Sequence, residues 1–187
     1  MMRPTDNSSD DALIRRVAGG DLGAFDEVVR RYQKCIWNAA LRFTGDAVEA
    51  EDLAQETFLR ALTAKSPFQS TGSLRAYLLR IVGRLCIDRS RKKRPIYTDQ
   101  APDPQSTDPS PSQIREDDER CKRVRAALLT LPPKQRVAIV LKYYDGLRHA
   151  EIAGVIGGSE KAVERHLARA RERLRRLLPD EEGCDSL

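Results

Sequence analysis

Aromatic side chains are scarce in this sequence, with one Trp, five Tyr and four Phe among 187 residues. An apolar content drawn instead from Leu, Ala, Val and Ile favours helices over a β-sandwich. Histidine is scarcer still. Only His149 and His166 can titrate near neutrality, and no nucleophile is identifiable, so general acid–base and covalent catalysis lack their residues and no enzyme is expected. The four cysteines, Cys35, Cys86, Cys121 and Cys184, lie far apart, without the CxxC or Cys/His spacing that zinc requires. They read as reduced, mostly packed thiols, and nothing around Cys121 or Cys184 argues for a redox sensor. Long apolar runs are also missing. None approaches the roughly 20 residues that span a bilayer, and the polar, acidic start MMRPTDNSSDD is no signal peptide, so a soluble cytoplasmic protein without a membrane segment is expected.

What is abundant is charge, unevenly placed. Residues 1 to 94 hold 17 basic and 12 acidic side chains, 95 to 119 hold one and seven, 120 to 178 hold 15 and five, and the last nine are acidic only. Two basic blocks separated by an acidic one are the footprint of a protein that meets a polyanion.

The acidic block overlaps PIYTDQAPDPQSTDPSPSQ, residues 95 to 113, whose five prolines and polar residues mark a semi-extended flexible linker. It divides the chain into two helical modules. Apolar spacing predicts helices near 10–18, 21–43, 46–64 and 72–93 in the first, and near 114–130, 133–144, 148–156 and 159–178 in the second. Gly19-Gly20, Thr44-Gly45, Ser66-Pro67, Pro132-Pro133, Asp145-Gly146 and Gly157-Gly158 punctuate them, and Ser159 is suited to cap the last. On such a linker neither module is expected to hold a fixed position relative to the other.

The stretch AEDLAQETFLRA, Ala50 to Ala61, carries the first candidate site. At 100° per residue Ala47, Ala50, Leu53, Ala54, Thr57, Phe58, Ala61 and Leu62 form its core face, while Val48, Asp52, Gln55, Glu56 and Leu59 share the opposite side. A merely solvated face needs no leucine at its centre. A metal would need further ligands than Asp52 and Glu56, and none is offered at matching spacing. An apolar anchor ringed by carboxylates and an amide fits a docking patch for a partner that supplies basic residues.

Two basic faces follow. In the helix near 72–93, Leu74, Leu78, Ile81 and Leu85 make the inner stripe, and beside it run Tyr77, Arg80, Arg84 and Arg91, ending in the cluster RSRKKR. Arginines next to an aromatic suit phosphate contact with base stacking. In the second module a short helix bearing Ile152, Ala153 and Ile156, a Gly-Gly-Ser turn, and a longer helix with Val163, Leu167, Ala170 and Leu174 inward read as a helix-turn-helix. Its outward side presents Lys161, Arg165, Arg169, Glu172 and Arg176 to a major groove.

Taken together, AEDLAQETFLRAL, LRAYLLRIVGRLCIDRSRKKR, ALLTLPPKQRVAIVLKYYDGL and EIAGVIGGSEKAVERHLARARERLR resemble the extracytoplasmic-function (ECF) group of bacterial sigma factors, in the sigma-70 family of RNA polymerase subunits. The likeness covers residues 10 to 178. It implies an all-α chain of two small domains, region 2 over 10–94 and region 4 over 114–178, joined by the linker. It further implies core RNA polymerase and promoter DNA as partners, admits an inhibitory anti-sigma protein, and calls for no cofactor. Asp52, Gln55, Glu56 and Leu59 would dock on the polymerase clamp. The loop KSPFQSTGS and the helix bearing Tyr77, Arg80, Arg84 and Arg91 would meet the downstream (minus 10) element, and the helix-turn-helix with Ser159, Lys161, Arg165 and Arg169 the upstream (minus 35) element. Arg84 stands where the family commonly has Asn, Arg148 where Ser caps the first helix, Gly158 where the turn is apolar, and Glu164-Arg165 where Lys and Ser are frequent. The alternative from another class is a stand-alone helix-turn-helix regulator whose first module only dimerises.

Overall fold

The computed structural model describes residues 7–64, 73–92 and 113–178, with side chains placed over 10–64, 73–91 and 119–178. Its elements are α1 (Asn7–Ala18), α2 (Leu22–Thr44), α3 (Ala47–Leu62), α4 (Leu74–Lys92), α5 (Gln113–Leu129), α6 (Pro133–Tyr143), α7 (His149–Ile156) and α8 (Glu160–Leu177). No strand occurs among the described residues. Every predicted helix is present with ends displaced by three residues or fewer. The loop at 65–72 and most of the linker, with Cys184, lie outside the described residues.

Local chemistry explains the boundaries. Asp21 caps α2 by accepting from the Ala24 amide at 3.1 Å, and Asp46 caps α3 by accepting from Val48 and Glu49. Between them Gly45 ends α2 at φ 77°, its N–H returned to the Leu41 carbonyl, a left-handed turn that other residues resist. Pro133 opens α6 at a position where a missing N–H costs nothing.

In the first module α2 is the spine. Its Ala24, Val28, Tyr32, Ile36 and Ala40, each one turn apart, are buried against α1, α3 and α4. Phe25 and Phe58 meet edge to face at 6.5 Å between ring centres. The α1 helix is pinned by buried Asp10, which accepts from Arg31 at 2.7 Å and from the Tyr32 hydroxyl. Burial first, then that carboxylate, push the Tyr32 phenol well above its ordinary pKa. In the second module α6, α7 and α8 pack mutually, with Val163, Leu167, Ala170 and Leu174 of α8 buried as expected.

The two modules are not independent, which corrects the expectation drawn from the linker. α6 and α7 pack on α4, and α5 and α6 on α2, so one apolar core runs through both modules. Five consecutive residues of α6, Val137 to Leu141, are buried because the helix is covered on both sides.

Candidate polymerase and DNA interfaces

The outward face of α3 presents Leu59 and Val48, 61% and 74% exposed, as the largest apolar groups of that surface. Asp52 and Gln55 are exposed around them, and Glu56 is half-buried. Ala50, Leu53, Ala54, Thr57 and Phe58 face the core as expected, but Ala47 and Leu62 at the two ends of the core stripe are exposed. A terminal turn has neighbours on one side only.

Two basic side chains within the module address these acids. Arg60 lies 2.6 Å from Glu56 one turn away, and Arg89 reaches across from α4 to Glu56 at 3.3 Å and Asp52 at 3.8 Å. Burial works against ionisation of Glu56, yet Arg89 and Arg60 outweigh it and hold its carboxyl below the usual range. Sequence periodicity could not reveal Arg89 as a partner of α3, because it reports which face a residue occupies and not which helix lies opposite. The only signal was its place inside the RSRKKR cluster.

On α4 the four predicted DNA residues are placed differently from one another. Tyr77 is half-buried and lines an apolar cavity with Ile14, Val17, Phe25 and Leu74. Arg91 is exposed. Arg84, also exposed, donates from Nε and Nη2 to the Gly154 carbonyl at 3.1 and 2.6 Å, and Arg80 keeps its Nε buried beside α7.

The helix-turn-helix geometry is well defined. α7 ends on Gly157 at φ 69°, and Ser159 caps α8 by accepting from the Ala162 amide at 3.3 Å. Arg148 precedes α7 without an acceptor to offer its amides, and instead the Glu151 carboxylate accepts from the Arg148 N–H at 2.8 Å. Lys161, Glu164, Arg165, Arg169, Glu172 and Arg176 are exposed along the outer face of α8. Arg176 is engaged by Glu172 one turn back, and His149 lies 3.9 Å from Glu164. Burial first, then Lys134, Arg165 and Arg169, depress the His166 pKa. Among the described residues no three His, Cys, Asp or Glu side chains converge as a metal would need, and no helix is long and apolar enough to cross a membrane.

A helix-turn-helix with a basic outer face, packed beside a four-helix module that displays a leucine among carboxylates, has the architecture of a DNA-binding protein. Two family descriptions match, Sigma-70 region 2 over residues 28–96 and Sigma-70, region 4 over residues 121–174. The ECF RNA polymerase sigma factor SigW of Bacillus subtilis is 35% identical, with 89% of this chain and 95% of that protein covered. SigE, an ECF sigma factor of Mycolicibacterium smegmatis, is 33% identical over 95% of this chain and 70% of its own length. Among solved structures, CnrH in complex with the cytosolic domain of CnrY aligns at a TM-score of 0.67 with 29% identity, covering 92% of this chain and 99% of CnrH. The chain belongs to the ECF sigma factors of the sigma-70 family.

Proposed function

We infer that this protein is an ECF-type sigma factor, a non-enzymatic subunit that binds core RNA polymerase and directs it to promoters. The observation that supports this most is the joint presence, in family order, of region 2 and region 4 sequence in one chain whose α3 leaves Leu59 exposed among acids. We assign polymerase docking to Asp52, Gln55, Glu56 and Leu59, and downstream promoter contact to Tyr77, Arg80, Arg84 and Arg91. Upstream reading falls to Ser159, Lys161, Arg165 and Arg169. The domain limits proposed are 10–94 and 114–178 with 95–113 as linker, and the place of action is the cytoplasm, where the polymerase is. An inhibitory anti-sigma protein is a further proposed partner, in keeping with CnrH having been solved with a second protein bound.

The test titrates promoter fragments selected from genomic DNA with the chain, with core polymerase, and with both, using permanganate to find unpaired thymines. Sequence-specific binding and strand opening are expected only in the mixture. Tight, specific duplex binding by the chain alone, with no opening when core is added, replaces this reading with the stand-alone regulator.

A further inference from the structure

The α8 helix carries one acidic side chain that local helix chemistry does not account for. Glu160 stands in the first turn, where a carboxylate meets the positive end of the helix dipole, and Glu172 is engaged by Arg176 one turn on. Glu164 has neither support. It lies in the second turn, past the reach of the dipole, with like-charged Glu160 four residues before it and Ala168 four residues after. Its side chain is 62% exposed, and its one ionic neighbour among the described residues is His149 at the start of α7, with Nδ1 3.9 Å from Oε1. That distance is beyond a hydrogen bond, so both carboxylate oxygens keep their accepting capacity for a group outside the chain.

The surroundings narrow the chemistry of that group. Val163 and Leu167 face the core, so Lys161, Glu164, Arg165 and Ala168 share the outward side of the first turns of α8, all exposed. Side chains on a helix lean toward its N-terminus, so the residue one turn on decides whether Glu164 is covered. That residue is the short Ala168. A phosphate is refused here, because a carboxylate repels it, and phosphates are left to the cations alongside. A base edge is not refused. In the major groove guanine offers two acceptors, thymine an acceptor and a methyl group, and adenine an acceptor beside its donor; only cytosine offers a donor, its N4 amine, with no acceptor next to it. An ionised carboxylate accepts and never donates, so cytosine is the base that it selects.

We propose that Glu164 is a specificity-determining residue, which reads one cytosine of the upstream promoter element by accepting from its N4 amine. The inference rests on the assignment of α8 to upstream reading. Glu164 and Arg165 then have opposite tasks. They are consecutive, 100° apart around the helix, and one only accepts while the other only donates, so the carboxylate takes cytosine and the guanidinium takes guanine O6 and N7. Much of the selection is exclusion. Guanine or thymine in place of the cytosine sets a carbonyl oxygen against the carboxylate, two acceptors that have both given up water for no hydrogen bond.

The experiment uses the full chain with core polymerase and a pool of promoter fragments randomised across the upstream element, sequenced before and after binding. Wild type should enrich cytosine at one position by about ten-fold over guanine or thymine. Glu164→Gln keeps the shape of the side chain and adds a donor, so it should move that position to adenine, whose N6 and N7 suit an amide. Glu164→Ala should let the position accept all four bases, with the rest of the selected sequence unchanged. Circular dichroism should give the three chains the same helicity, because the side chain is exposed. Loss of a negative charge strengthens binding to any polyanion, so base preference is the readout and affinity is not. Variants that bind every fragment more tightly yet select the wild-type sequence overturn the proposal and leave Glu164 a surface charge. A selected pool in which no position answers to either substitution overturns it too. Permanganate reactivity of the same complexes reads the sigma assignment separately. Selection and strand opening with no position that depends on Glu164 fail this proposal alone, whereas the absence of both fails the sigma assignment as well.

Discussion

Arg89 of α4 holds Glu56 of α3, with Nη2 3.3 Å from Oε2, while its Nη1 stands 3.8 Å from Asp52 one turn earlier. The guanidinium therefore bridges the helix assigned to polymerase and the helix assigned to DNA. Pairs this exposed contribute only about 0–1 kcal/mol each to stability. Their consequence is orientation, since one fork holds two carboxylates beside Leu59 before any partner arrives.

If that orientation matters, Arg89→Ala should leave the melting temperature within about 2 °C of wild type yet weaken binding to core polymerase several-fold. Leu59→Arg, at the centre of the patch, should cost about 2 kcal/mol or more in the same binding assay while helicity is kept. Binding titrations that show no change for Leu59→Arg remove α3 as the docking helix.

The helices of the described residues were legible because their apolar residues recur at helical spacing and Gly, Pro, Asp and Ser stand at many of their ends. Ser159 as a cap and the inward set Val163, Leu167, Ala170 and Leu174 follow from local rules alone. Contact between the modules was not legible from such rules, which say that a face is apolar without saying what covers it. Two signals pointed to it all the same. The run Val137 to Leu141 leaves α6 no polar side, and Gly83 occupies a helix interior, where glycine is unfavourable unless another backbone comes close. The roles of Arg75 and Asp145 left no trace in the pattern, because an ion pair across 70 residues has no period.

Gly45 carries two demands at once, a φ of 77° and the approach of Leu129, whose Cδ1 would lie 2.4 Å from an added Cβ. Gly45→Ala should therefore destabilise the chain by about 1–3 kcal/mol through backbone strain and overlap together. Leu129→Ala removes only the overlap, so the double variant should recover part of the loss in a denaturant titration. Full recovery assigns the whole effect to packing and none to the backbone.

On the recognition helix, Arg165 and Arg176 separate readout from attraction. Arg165 stands in the second turn of α8 and is exposed, whereas Arg176 lies near the far end, engaged by Glu172. Arg165→Ala in the polymerase complex should relax preference at one upstream base pair, at about 1–3 kcal/mol. Arg176→Ala should weaken all sequences alike and flatten the salt dependence. Uniform loss for both removes Arg165 from base reading.

Asp145 makes the folded chain sensitive to pH. Burial first, opposed by Arg75 and then Arg42, raises its carboxyl from 3.8 to about 6. The Cys35 thiol, itself raised by burial, also faces it. A carboxyl raised on folding binds its proton more tightly in the folded chain, so its contribution is fully present below pH 3.8 and is lost as pH rises through about 6. His166 acts in the opposite sense. Its depressed pKa costs stability as pH falls below 6.5, so wild type must be compared with Asp145→Asn, where the His166 contribution cancels. Asn keeps an oxygen for Arg75 and removes the proton equilibrium. Relative to that variant, wild type should gain about 1.4 kcal/mol between pH 7.5 and pH 5, measured by denaturant titration at each pH. A difference that is constant across this range means that Asp145 stays ionised in the folded chain, held by Arg75 against the cost of burial.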